Sequence, residues 1–228
     1  MQTKLKVKLI AHTPDADKMV AAAAKLCYAK SDVDTLLDNL TADKVESFIE
    51  RLADLGHESP IEHASYTFAV EGVSRALLAQ LTRHRIASYS VQSQRYVNKS
   101  DFDYVVPPSI AADSEAAEMF DKCMGMLDTY YAYFTAVGIP AEDARFVLPN
   151  ASDTRIIFTM NARSLHNFFK LRCCNRAQWE IRAMADEMLR LCREVSPVLF
   201  KRAGPSCAVS GKCSEGAMCC GEPRTEVK

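Results

Sequence analysis

"SDTRIIFTMNARSLHNFFKLR", residues 152 to 172, carries two kinds of local structure back to back. Residues 152–160 are rich in Ile, Phe and Thr, side chains that suit a pleated, half-buried surface, and they predict a strand. Asn161 then stands where a helix cap belongs, and 161–172 predicts a helix. Downstream, "AQWEIRAMADEMLRLCREVSPVLF" (177–200) reads as the longest amphipathic helix of the chain. Upstream, "AEDARFVLP" (141–149) predicts a short helix stopped by Pro149, and 114–137 a long one ending at Gly138-Ile139-Pro140.

The N-terminal half continues this mixture. "LKVKLIAHT" (5–13) alternates apolar and polar residues before a Pro-Asp turn signal and predicts a strand. "DADKMVAAAAKLCYA" (15–29) predicts a helix, and "TADKVESFIERLADLGH" (41–57) a second, opening on Thr41 and stopping near Gly56. "HASYTFAVEGV" (63–73) places Tyr66, Phe68 and Val70 on one parity, as a strand does, and "SRALLAQLTRHR" (74–85) predicts a helix. Helices interleaved with a few strands predict an α+β fold: a single mixed α/β domain with a mostly antiparallel sheet flanked by long helices.

With 228 residues the chain is long enough for one full core, and we expect a principal domain over 1–205 with a cysteine-containing segment, 206–228, behind it. Lys and Arg total 28 against 29 Asp and Glu, so no overall field attracts nucleic acid or an anionic membrane. No apolar run reaches the length of a signal peptide or a membrane span, which predicts a cytoplasmic protein with neither nucleic-acid nor membrane partners. The nine cysteines are an odd number in a chain without an export signal, so reduced thiols are expected. Cys207, Cys213, Cys219 and Cys220 crowd a Gly- and Ser-rich stretch with no C-x-x-C pair of a zinc ribbon; loosely ordered free thiols, with no metal, are the expectation there.

Positive charge is concentrated in "RHRIASYSVQSQRY" (83–96), where Arg83, His84, Arg85 and Arg95 surround hydroxyls at Ser88, Ser90 and Ser93. Cations at a helix C-terminus complement its dipole, but the cluster resumes at Arg95 beyond a strand-like run. Arginine offers a planar fork of donors that matches phosphate, and serine a short hydroxyl that reaches one oxygen. There is no basic stripe over a wide surface, which favours a small phosphorylated ligand over nucleic acid. Neither G-x-G-x-x-G after a strand nor G-x-x-x-x-G-K-[ST] is present, so side chains have to hold the phosphates.

These residues spell R-H-R-x-x-S-x-x-x-x-S-x-R, which resembles the signature of flavin-dependent thymidylate synthases. "GHESPIEH" (56–63), "EDAR" (142–145) before "FVLP", and "NARSLHNFFKLR" (161–172) with "AQWEIR" (177–182) are similar to other segments of that family, in family order. The resemblance implies a homotetrameric methyltransferase that binds FAD and converts dUMP to dTMP. Its methylene comes from 5,10-methylenetetrahydrofolate and its reducing equivalents from NADPH. No cysteine attacks the uracil ring, and Ser93 lacks the neighbouring base that a serine nucleophile needs.

Carried onto this sequence, the resemblance makes Arg83, His84 and Arg85 flavin contacts, with Arg83 also reaching the nucleotide. It adds Ser59, His57, Asn161, Arg163 and Asn167 for the cofactor; 163 and 167 are one helical turn apart with 161 capping the same element. For dUMP it implies Gln80, Gln92, Ser93, Gln94, Arg95, Arg145 and Arg172. Arg95 and Arg145 are the phosphate candidates, and Arg172 the catalytic one, a cation beside the uracil ring that favours an ionised N3 and so activates carbon 5. Val91 stands where the family places Glu or Gln, leaving only its backbone to contribute to cofactor and substrate. Two other classes are open on the sequence: a non-catalytic nucleotide-binding module, colourless when purified, and a metal-dependent redox or regulatory protein built on the four clustered cysteines.

Overall fold

The computed structural model describes residues 3–96 and 101–227. Strand β1 (Lys6–His12) leads into helices α1 (Ala16–Leu26), α2 (Val33–Asp38) and α3 (Ala42–Leu55), then a 3-10 turn at Pro60–His63. Strand β2 (Ser65–Ser74), helix α4 (Arg75–Leu81) and strand β3 (Ser88–Val91) follow, with α5 (Pro108–Ala111), α6 (Ser114–Ala136) and α7 (Ala141–Ala144) after them. Strand β4 (Asp153–Asn161) runs straight into α8 (Ala162–Arg172), and α9 (Trp179–Val195) and α10 (Ser206–Ser210) complete the order. The four strands form one antiparallel sheet in the order β1-β2-β4-β3, so the α+β reading holds.

The β4–α8 junction forms as its residues predict. Asn161 keeps extended backbone angles while its side-chain oxygen accepts from the Ser164 amide at 2.9 Å, satisfying one of the orphan donors of the first turn. Most boundaries shift by one to three residues, and two helices differ by more from expectation. The 74–85 helix stops at Leu81, so Arg83, His84 and Arg85 lie in the turn beyond it rather than on its last turn. The helix expected over 177–200 spans Trp179–Val195, because Ser196 leaves helical geometry ahead of Pro197, which restricts the residue before it. That makes α6, with 23 residues, longer than α9, with 17. The short α2 was not anticipated; its start is fixed by Asp32, whose carboxylate accepts from the Thr35 amide at 2.9 Å.

The chain divides into two compact units. One comprises Met1–Lys6, Ala69–Arg83 and Tyr89–Ile157; its buried side chains include Val70, Val73, Leu77, Leu81, Met124, Tyr131 and Ile156. Gly72 has φ +71°, and a Cβ there would meet the Lys4 carbonyl oxygen at 2.0 Å, so a close backbone approach requires glycine at this point of β2. The other unit comprises Val7–Phe68, His84–Ser88 and Phe158–Lys228. Here α1 packs on α3 and α8 on α9. Phe200 takes edge contacts from Tyr66 and Phe169, with ring centroids 5.1 and 5.9 Å away, and stacks on His166 at 5.3 Å.

Candidate functional site

In the larger unit, α8 ends on Arg172, and Arg172 Nε donates to His84 Nε2 at 3.0 Å. The bond fixes the imidazole as an acceptor at Nε2, with its proton on Nδ1. Burial, and then the positive charge of Arg172, push the His84 pKa down to about 4 from 6.5, so the ring is neutral at physiological pH. Phe168, one helical turn before Arg172, meets the imidazole edge-on with centroids 4.9 Å apart. The guanidinium is thus oriented by a neutral partner, through a contact that adds no opposing charge.

The same helix opens on the expected cofactor residues. Arg163 Nε donates to Glu58 at 3.1 Å and its Nη1 to Glu62 at 2.5 Å, which ties the first turn of α8 to the "GHESPIEH" segment. That tie brings Arg163 to the segment bearing His57 and Ser59, both exposed, and Asn167 is exposed on α8. Guanidinium, amide, imidazole and hydroxyl groups at a water-accessible surface form a donor set that fits FAD, whose diphosphate and heterocycles are mostly acceptors. Glu58 and Glu62 are part of this surface, and their pairing with Arg163 was not foreseen. Their signal is the pair of acidic residues in "HESPIEH" itself.

The smaller unit holds most of the residues assigned to dUMP. Ser93 follows β3 and its Oγ accepts from the Arg95 amide at 3.1 Å, shaping the turn on which Gln94 and Arg95 sit. Arg95 Nη1 lies 3.8 Å from the Glu142 carboxylate, and Arg145 Nε donates to the Glu142 carbonyl at 3.0 Å. The two phosphate candidates therefore meet at one residue. Val91 and Gln92 are half-buried; the Gln92 amide donates to Arg155 O at 2.9 Å and its carbonyl accepts from Arg75 Nη2 at 2.8 Å. Gln80 is half-buried near the end of α4, while Arg83 and Arg85 are exposed.

Arg75 is a member of this group that sequence reasoning missed. Burial lowers its pKa, the nearby Arg145 charge lowers it further, and Asp153 partly offsets both. Its Nε is buried without a hydrogen-bond partner. A signal existed: Arg75 is the first residue of α4, where a cation opposes the helix dipole and needs another reason to be there. Two guanidiniums held near one another in a partly dehydrated place favour an anion between them.

Two of the thiols are disfavoured as nucleophiles. Cys173 and Cys192 are buried, and burial, aided at Cys173 by the charge and hydrogen bond of Asp186, pushes their pKa values well up. Among the described residues no cysteine is in a disulfide, and no group of three or more His, Cys, Asp or Glu side chains is arranged to hold a metal. The segment expected to be loosely ordered is tied to the larger unit: Arg224 reaches Asp186, Asn175 reaches the Glu222 carbonyl, and Val227 is buried.

An α+β fold with arginines, amides and hydroxyls at its candidate sites, and without a glycine-rich phosphate loop, fits the class of proteins that hold phosphorylated small molecules with side chains. Residues 8–198 match the family described as thymidylate synthase complementing protein. A flavin-dependent thymidylate synthase of Geobacter sulfurreducens is 53% identical over 226 residues, covering 98% of this chain and 97% of that one. Another, of Clostridium tetani, is 50% identical over 234 residues, covering 96% and 94%. In fold the chain is similar to a crystal structure of the UMP/dUMP methylase PolB of Streptomyces cacaoi bound with 5-Br dUMP: TM-score 0.79 and 24% identity over 87% of this chain and 94% of that one. The chain belongs to the flavin-dependent thymidylate synthase family.

Proposed function

We propose that this protein carries out the reductive methylation of dUMP to dTMP, with 5,10-methylenetetrahydrofolate as carbon donor and NADPH as the source of reducing equivalents through FAD. The observation that carries the reading is the Arg172–His84 contact, which joins the R-H-R signature to the downstream helix, two segments of the family pattern that lie far apart in sequence. When bound, FAD supplies the hydride-transfer chemistry. The protein's own residues bind, orient and polarise.

In this reading Arg95 and Arg145 hold the dUMP phosphate, and Glu142 is the acidic group that the phosphate replaces on Arg95. Gln80, Arg83, Ser93 and Gln94, with the backbone of Val91 and Gln92, complete the nucleotide contacts. His57, Ser59, Arg83, His84, Arg85, Asn161, Arg163 and Asn167, with the Val91 backbone, hold the flavin. Arg172 faces the uracil ring. Its guanidinium stays protonated while it stabilises negative charge at N3, which raises electron density at carbon 5 without a covalent bond to the enzyme. Ser93 Oγ, engaged by the Arg95 amide, is a shaping and binding group.

Self-association as a homotetramer belongs to the same proposal and is supported by a row of exposed apolar side chains along α6. So does a cytoplasmic location; among the described residues no helix is long and apolar enough to cross a membrane.

The test is an anaerobic assay of flavin-loaded protein with dUMP, methylenetetrahydrofolate and NADPH, read as dTMP formed. Wild-type protein turns over. Arg172→Ala retains its yellow colour and loses turnover by a factor on the order of a hundred or more, the scale of a lost electrostatic contact in a water-poor site. Absence of dTMP from the loaded wild-type protein refutes the function; full activity of Arg172→Ala refutes the role.

A further inference from the structure

The residues after α8 are held by a distant part of the chain. Arg172 is the last residue of α8, and the end of any helix leaves carbonyls without intrahelical partners, so its last turn frays unless something else accepts the task of holding it. Here Arg224 Nη1 donates to the Cys173 carbonyl at 2.8 Å and to both carboxylate oxygens of Asp186, on α9, at 2.9 Å. The ion pair is mostly sheltered, with side chains 18% and 27% exposed, and a cation at a helix C-terminus is on the favourable side of the dipole. Two further bonds fix the connecting loop to the same segment: Asn175 Nδ2 donates to the Glu222 carbonyl at 2.8 Å, and Arg176 Nη1 donates to the Met218 carbonyl. Beyond Arg224, the segment is anchored by Arg193 Nη1 donating to the Val227 carbonyl at 2.5 Å, and Val227 itself is 4% exposed.

We propose that segment 218–227 acts as a strap whose Arg224 is a positioning residue for Arg172, pinning the C-terminal turn of α8 between Cys173 and Asp186 so that the Arg172 guanidinium keeps its place against His84. The inference rests on the reading of Arg172 as the group beside the uracil ring. Arg224 acts through the backbone of the residue that follows Arg172. All its contacts to Cys173 and Asp186 run through one nitrogen, so a lysine ammonium can reproduce them, whereas the shorter, neutral glutamine amide brings no charge to the Asp186 carboxylate.

The experiment uses full-length, flavin-loaded protein. Arg224→Gln lowers kcat by a factor on the order of 10 to 100, the scale of a displacement of about an ångström at a reacting group, and leaves KM for dUMP little changed. Arg224→Lys recovers most of that loss. A purely structural role does not move the second readout, the titration of His84 followed by NMR with isotope-labelled histidine. Loosening Arg172 removes a positive neighbour, so the His84 pKa rises in Arg224→Gln and returns in Arg224→Lys.

Wild-type kcat and an unshifted His84 titration in Arg224→Gln, with only the melting temperature reduced, overturn the inference. If Arg224→Gln does not fold, Asn175→Ala, which removes the neighbouring bond to Glu222, takes its place: a lowered kcat with a raised His84 pKa supports the strap, and wild-type values of both overturn it. Arg172→Ala is assayed alongside. Should it keep turnover, the reading of Arg172 fails, and the His84 titration still decides whether the strap holds Arg172; should it lose turnover while Arg224→Gln does not, the strap alone fails.

Discussion

Arg172 and His84 define each other's chemistry. His84 would titrate near neutrality in water, but burial and the adjacent guanidinium bring its pKa to about 4 from 6.5. The unfolded chain therefore binds the proton first as pH falls: stability is fully present above about 6.5 and is lost on descending toward about 4. The loss is at most about 3.5 kcal/mol, one pKa unit being worth roughly 1.4, and solvent screening of the partly exposed ring makes it smaller. Urea midpoints measured across this window should fall more steeply for the wild type than for His84→Gln. Asp17, whose pKa burial raises, has the opposite slope in both proteins and cancels in the comparison. Equal slopes would show that His84 is not neutralised by its surroundings. The sequence made His84 legible as part of a signature, but not its charge state, which depends on Phe168 and Arg172 arriving from 84 and 88 residues away.

Helix α8 is the element in which local and long-range information meet. Its start was readable because capping is a local bond: Asn161 Oδ1 and the Ser164 amide are three residues apart. Asn161→Ala should cost about 1 kcal/mol by removing the cap, whereas Asn161→Asp keeps the acceptor and the stability. If the Asn161 amide also meets flavin, Asn161→Asp loses flavin while its melting temperature stays at the wild-type value. Absorbance ratios and thermal melts on the same samples separate the two roles, and retained flavin in Asn161→Asp rules out the cofactor contact. The far end of the helix was not readable: a carbonyl at Cys173 and an arginine at 224 have no sequence relation, and only packing of the strap connects them. Nor was α2, which is too short to show a period and depends on one aspartate cap.

On the scale of the whole molecule, α6 presents Met119, Met126, Tyr130 and Tyr133, exposed by 61, 56, 56 and 60%. Their spacing of seven, four and three places them along one side of the helix, as an interface stripe is placed. Tyr130→Glu puts a charge in the middle of that stripe and should shift the protein to smaller species in sedimentation velocity, with loss of turnover if sites are completed between copies. An unchanged sedimentation coefficient would exclude this face as the contact.

The sequence by itself determined the α+β class, most element positions and the residue types suited to phosphate and flavin, because capping, periodicity and side-chain chemistry act over a few neighbours. Tertiary structure alone decided that Arg163 lies between Glu58 and Glu62, that Arg95 and Arg145 meet at Glu142, that His84 is a neutral acceptor, and that Arg224 closes α8. Each of these depends on which distant groups the fold brings together, and at His84 and Arg224 on a partly dehydrated space, where the strength of a charge is set by its neighbours and not by its own side chain.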